Sequence, residues 1–138
     1  MKVQMIKKIS DKIKLYFNTF LMDIGNYISK DVDIYLLTDK NTIVGNFIHD
    51  KKFKIIREIF IIPDHRGKGL CKIIMRFIIE NIDCSELYMD VYKSNIVALN
   101  CYKNYVEIVG EIKPRDFKKI YKYEPNEKVY RYKFKSKF

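Results

Sequence analysis

Residues 59–70 read IFIIPDHRGKGL (Ile59 to Leu70), and this stretch decides how the chain folds. Upstream, KFKIIREIFII (Lys52–Ile62) is rich in β-branched and aromatic side chains, as a strand requires. Pro63 ends it, because proline has no N–H to give to a ladder. Downstream, Leu70, Ile73, Ile74, Phe77, Ile78 and Ile82 recur at helical spacing and predict an amphipathic helix. Between strand and helix stands Arg66-Gly67-Lys68-Gly69. Two glycines one residue apart let the backbone adopt dihedrals that other residues avoid and approach a ligand closely. The amides of Arg66, Gly67, Lys68, Gly69 and Leu70 can then converge on phosphate oxygens, with the positive end of the helix behind them. Arg66 and Lys68 add full charge at the same place. A plain glycine-rich turn from strand to helix reads the same way. The stretch is no P-loop, since GxxxxGK[ST] is absent, and no dinucleotide fingerprint, since GxGxxG is absent.

The flanking sequence supplies the rest of the fold. Residues 2–8 suit a short strand. Ser10 suits a helix N-cap, with Ile13, Phe17, Phe20, Leu21, Ile24 and Ile28 along one side of a helix over about 11–28. Asp31–Thr38 and Thr42–His49 read as antiparallel strands around a turn at Asp39–Asn41, and Asp50–Lys51 turns the chain into the long strand. After the apolar helix, Glu86–Tyr92 reads as a strand, Asn95–Tyr105 as a helix, Val106–Ile112 as a strand, 113–127 as a polar loop and 128–135 as the last strand. The order β-α-β-β-β-α-β-α-β-β predicts an α/β domain, a hairpin region followed by a βαβ crossover.

Composition bounds the class. With 138 residues, no repeat and no linker, residues 1–138 are expected to form a single domain whose core needs no disulfide or metal. Hydrophobic residues are 48% and charged residues 32%, with five Gly and three Pro, which excludes collagen-like and low-complexity chains. No apolar run approaches the ~20 residues of a membrane helix. The lysine-bearing N-terminus has no apolar signal core, so a cytoplasmic protein without membrane partners is expected. Cys71, Cys84 and Cys101 are odd in number and lack CxxC spacing, and so read as reduced thiols. Net charge is +10, and residues 113–138 hold ten Lys/Arg against three Asp/Glu. Such a surface attracts anions. Phe117, Tyr121, Tyr123, Tyr130, Tyr132 and Phe134 interleave with these basic residues, as in single-strand nucleic-acid binders. VYRYKFKSKF (Val129–Phe138) nevertheless alternates with period two, so a strand is the preferred reading and nucleic acid the less favoured partner.

A second motif follows the glycine loop. In VYKSNIVALNCYKNY, Val91 lies in a strand, Asn95 follows, and Ala98 and Tyr102 stand four apart on a helix. A strand–(x-x-R-G-x-G)–apolar helix, followed in this order by Asn and Ala-x-x-x-Tyr, resembles the GNAT superfamily of acyl-CoA N-acyltransferases over roughly residues 32–112. The resemblance implies a three-layer α+β, GNAT-like fold whose mixed, mostly antiparallel central sheet has about six or seven strands, with three or four helices. It also implies a cleft for acetyl-CoA where Lys52–Ile62 and Glu86–Tyr92 splay apart. By position, the amides of Arg66–Leu70 would hold the pyrophosphate, and backbone groups of Phe60, Ile61 and Ile62 would pair with the pantetheine arm. Asn95 would hydrogen-bond near the cofactor. Tyr102 would lie near the sulfur and protonate the departing thiolate. Its plain alternative is an aromatic core residue. Glu58 stands where the family often places a carboxylate and is the candidate base, with His49 and Asp90 behind it. Strand alternation does not say which face Glu58 occupies, and an ion pair with Arg57 or a basic neighbour is its plain alternative. Three departures stand out: Asp64 near the phosphates, Cys71 where Gly is common, and no Gly-Phe after the Tyr102 helix.

The reaction implied is acetyl transfer from acetyl-CoA, a co-substrate used without metal, to a primary amine attacking directly in a ternary complex. The acceptor is a small-molecule or peptide amine. A small phosphorylated amine such as an amino sugar phosphate suits the compact form and the positive charge, as in glucosamine-6-phosphate N-acetyltransferases, whereas a +10 protein repels polyamines. A basic nucleic-acid-binding module and a CoA-binding family member without transferase activity are the alternatives. A homodimer is left open.

Overall fold

The computed structural model of the chain describes residues 1–22 and 31–136. Its first hairpin follows from the turn chemistry. Lys40 and Asn41 both take left-handed φ (49° and 70°) between the paired residues Asp39 and Thr42. That is the two-residue turn whose twist matches antiparallel strands. It joins β2 (Val32–Asp39) to β3 (Thr42–Asp50), and β1 (Lys2–Met5) pairs antiparallel along β2. Ser10 caps α1 (Asp11–Thr19), its side chain accepting from the Ile13 N–H. Tyr16 and Phe17 of α1 are buried with Ile34, Leu36, Ile43 and Ile48 of β2 and β3. Leu21, expected on the apolar side of a longer helix, is 93% exposed, while the expected positions Ile24 and Ile28 lie outside the described residues.

The long strand begins later than its composition suggests. Residues 51–54 form turns, Lys54 is left-handed (φ 58°), and β4 runs Ile55–Ile61. A 3-10 turn at Pro63–His65 follows, then the loop, then α2 (Leu70–Asn81). Gly45 of β3 allows β4 to come close: a Cβ there would stand 2.7 Å from the Phe60 carbonyl oxygen.

The chain divides into two units, Met1–Lys52 with Ile56–Ile74, and Phe53–Ile55 with Met75–Phe138. The first holds β1, α1, β2, β3, β4 from Ile56 onward and α2 as far as Ile74. In the second, β5 (Tyr88–Tyr92) pairs in parallel with the start of β4 at Ile55↔Tyr88, and the Tyr88 N–H donates to the Lys54 carbonyl at 2.9 Å. β7 (Val129–Phe134) lies antiparallel to both β5 and β6 (Val106–Glu111). α3 spans Ile96–Tyr102. The strands hydrogen-bond in the order β1-β2-β3-β4-β5-β7-β6, seven in one mixed sheet.

Residues 113–127, expected to be a loop, contain the helix α4 (Pro114–Tyr121). Its signals were present: Pro114 in the first turn, Asp116 beside the N-terminus, and Phe117, Ile120 and Tyr121 at i, i+3 and i+4. Phe117 is buried with Ile112 and Val129, and Tyr92, Ile120 and Tyr121 pack on them. Phe117 and Phe134, both buried, therefore belong to the core and are no stacking surface for bases. Cys84 is a buried free thiol, but neither Cys71 nor Cys101 is a free thiol, which corrects the expectation of three reduced cysteines. Among the described residues no helix is long and apolar enough to cross a membrane.

Candidate functional site

The loop carries the backbone geometry its glycines predict. Gly67 and Gly69 stand at φ 77° and 79°, in the left-handed region that costs any residue with a Cβ. Apart from the adjoining residues, no atom lies within 4 Å of where a Cβ would project from either one. Leu70 is buried and anchors the first turn of α2, whereas Arg66, Gly67, Lys68 and Gly69 are exposed. Among the described residues the amides of Gly67, Lys68 and Gly69 have no backbone acceptor. Successive open amides at a turn leading into a helix form a concavity that suits an anion. The Arg66 side chain is partly spent: its Nε donates to the Ile61 carbonyl at 2.8 Å and its guanidinium lies over the Phe60 ring. Asp64, the unexpected anion, sits exposed in the 3-10 turn.

Along β4 the polar groups divide by strand alternation. The Ile62 N–H donates to the Val44 carbonyl at 3.0 Å, and the Phe60 carbonyl faces Gly45, so Phe60 and Ile62 turn toward β3. Ile61 turns its N–H to the other edge, and its carbonyl is the group that Arg66 holds. Glu58 is exposed and has φ 57°, left-handed in mid-strand. Arg57, the expected structural partner for Glu58, is paired with Asp50, whose side chain is 4% exposed. His49 is half-buried, and burial pushes its pKa down, against the upward pull of Asp33, so it favours the neutral imidazole.

Sequence reasoning missed one participant in this strand pair. Asn46 of β3 is fully buried, accepts from the Tyr16 hydroxyl at 2.7 Å, and donates through Nδ2 to the Glu58 carbonyl at 2.9 Å. An asparagine at a core position of a strand was the available signal, because a buried amide persists only with partners.

In the second unit, Asn95 caps α3, its Oδ1 accepting from the Ala98 N–H at 3.2 Å, which leaves its amino group for other bonds. Tyr102 closes α3 and is 8% exposed, and burial pushes its phenol up to about 12. Asp90 is committed to a hydrogen-bond network. Its carboxylate accepts two bonds from Arg131, at 2.8 and 2.9 Å, and one from the Tyr121 hydroxyl at 2.7 Å, with the side chain 1% exposed. Among the described residues no cluster of His, Cys, Asp and Glu could hold a metal ion.

Among curated proteins, none matches the sequence. A GNAT family acetyltransferase from Elizabethkingia anophelis, solved with acetyl-CoA bound, is similar at TM-score 0.69 and 16% identity, over 97% of each chain. An acetyltransferase from Bacillus subtilis in complex with CoA is similar at TM-score 0.70 and 15% identity, over 95% of each chain. The ribosomal-protein-S18-alanine N-acetyltransferase from Escherichia coli is similar at TM-score 0.69 and 14% identity, over 95% of this chain and 90% of that one. At such identities these likenesses establish the fold. The sequence itself, over residues 29–105, matches the model of the acetyltransferase (GNAT) family. That span takes in the hairpin, the glycine loop, α2, Asn95 and Tyr102, and the chain belongs to this family of enzymes.

Proposed function

We propose that residues 1–138 act as one N-acetyltransferase domain that moves an acetyl group from acetyl-CoA to a primary amine. The observation that carries this reading is the pair of left-handed glycines with open amides at the head of α2. Such amides would suit a diphosphate, and the open space beside both glycines supports that reading. The amides of Gly67, Lys68, Gly69 and Leu70 would hold it, with Arg66 contributing charge, since the Arg66 N–H already donates to the Pro63 carbonyl at 3.2 Å. Ile61, with Phe60 and Ile62 keeping β4 in register, would offer an N–H to the pantetheine arm. The amino group of Asn95 would add a bond near it. Acetyl-CoA supplies an activated acyl thioester.

This chain's residues manage the protons. Glu58, exposed on β4, would take the proton of the attacking amine. Tyr102 would hold a proton for the leaving sulfur. Against an aqueous thiol near pKa ~8.5, a phenol at about 12 gives up its proton uphill by about 5 kcal/mol, so full transfer needs a sulfur equally deprived of water. Net charge +10 favours an anionic acceptor, and a small phosphorylated amine such as an amino sugar phosphate is the class we favour.

The test is calorimetric titration with acetyl-CoA, followed by thiol release over glucosamine-6-phosphate, spermidine and a peptide with an N-terminal alanine. Binding with release on the sugar phosphate supports the reading. Failure of acetyl-CoA to bind at millimolar concentration refutes it, while binding without release from any amine leaves a CoA-binding protein that is no transferase.

A further inference from the structure

The buried amide beneath Glu58 has a consequence for the reaction. Both ends of the Asn46 side chain are committed, to α1 through Tyr16 and to β4 through the Glu58 carbonyl. The orientation is forced. A carbonyl oxygen only accepts, so Nδ2 must face Glu58, and Oδ1 is left to face Tyr16, whose hydroxyl must then donate. Burial pushes the Tyr16 phenol up, which keeps that proton in place. The surroundings are apolar: Phe17, Ile34, Leu36, Ile43 and Ile48. An unsatisfied amide there would be costly, so the three groups stand or fall together.

Glu58 is the residue this arrangement serves. A non-glycine residue at φ 57° in mid-strand is strained and persists only where surrounding contacts impose it. Its carbonyl is met by a side chain, and the direction of its Cα–Cβ bond follows from the backbone so fixed. We infer that Asn46, held by Tyr16, is a positioning residue for acyl transfer: it imposes the left-handed backbone at Glu58 and so aims that carboxylate at the amine. This inference rests on the reading of Glu58 as the base.

The experiment is a kinetic cycle on the full chain with Tyr16→Phe, Asn46→Asp, Glu58→Gln and the double variant Tyr16→Phe/Glu58→Gln. Thiol release is measured with acetyl-CoA and whichever of glucosamine-6-phosphate, spermidine or the alanine peptide turns over fastest. Losing a positioned base lowers kcat by about 100-fold in Glu58→Gln, and loosening it costs about 5–20-fold in Tyr16→Phe. KM for acetyl-CoA stays unchanged in both. The decisive comparison is the double variant, which is expected to be no slower than Glu58→Gln alone, since a base already removed has nothing left to be aimed. Asn46→Asp keeps nearly the same shape but loses the amide N–H, and should show at least the Tyr16→Phe loss at a pH where the new carboxyl is ionised. Additive losses, or an equal rise in the KM for acetyl-CoA, would overturn the inference and leave Glu58 as base. An active Glu58→Gln enzyme would remove the base itself and the inference with it, as would an absence of release from every amine.

Discussion

Substituting Gly69 by alanine separates folding from binding. At φ 79° a Cβ costs about 1–2 kcal/mol, and the stiffer unfolded chain returns about 0.4–1 kcal/mol of that. Apart from the adjoining residues, no atom stands within 4 Å of the added methyl, so no clash is added. The net loss of stability is about 1 kcal/mol, or about 3–5 °C in Tm at this chain length. Binding suffers more. The methyl projects into the open space above the loop, and losing one amide bond to a phosphate oxygen costs about 1.5–3 kcal/mol. The Kd for acetyl-CoA should therefore rise about 10- to 100-fold. Calorimetric titration gives the Kd, and a thermal melt of the same sample gives Tm. An unchanged Kd alongside the small drop in Tm would show that the loop amides do not hold the cofactor. A collapse of the fold would show that the space above Gly69 is not open.

Three further outcomes follow from other contacts. Gly45→Ala acts on the fold instead: its Cβ would meet the Phe60 carbonyl oxygen at 2.7 Å and Ile61 Cδ1 at 2.9 Å, so β4 must shift, at a cost of about 1–3 kcal/mol. A urea midpoint equal to that of the unsubstituted protein would contradict this. Asp90→Asn leaves the Arg131 guanidinium, 24% exposed, without its charge partner and should cost about 3 kcal/mol in urea unfolding. A loss within error of zero would mean that solvent replaces the pair. Tyr102 has a folded pKa near 12 against an ordinary value of 10.0, so the unfolded chain ionises first as pH rises. Its contribution to stability is complete below pH 10, falls as pH rises toward about 12, and amounts to about 2–3 kcal/mol. Tyr102→Phe should flatten that alkaline decline, and an identical decline in both proteins would refute the assignment.

Much of the molecule was readable because it is local chemistry. Ser10 caps a helix through the Ile13 N–H, and Leu70 opens one whose apolar face was countable along the chain. Gly67 and Gly69 take the left-handed dihedrals their missing Cβ permits. The hairpin at Lys40–Asn41 and the Asn95 cap belong with these, because each is decided by residues three or four apart at most. The same signals mark α4, whose polar surroundings concealed an i, i+3, i+4 pattern at Phe117, Ile120 and Tyr121.

What neighbouring residues could not decide lies between distant ones. Tyr16 reaches Asn46 across 30 positions, and Arg131 reaches Asp90 across 41. The first pairing places a donor under the Glu58 carbonyl, and the second ties the Asp90 carboxylate to Arg131. Strand alternation alone could not give the direction of Glu58, since a left-handed residue in mid-strand breaks the period on which that reading depends. Sequence by itself thus determined most of the strands and helices and the glycine loop, though not α4, because propensity and spacing act over a few residues. Tertiary structure alone decided which polar side chains are buried against one another, because only packing brings donors and acceptors from separate elements into an environment without water.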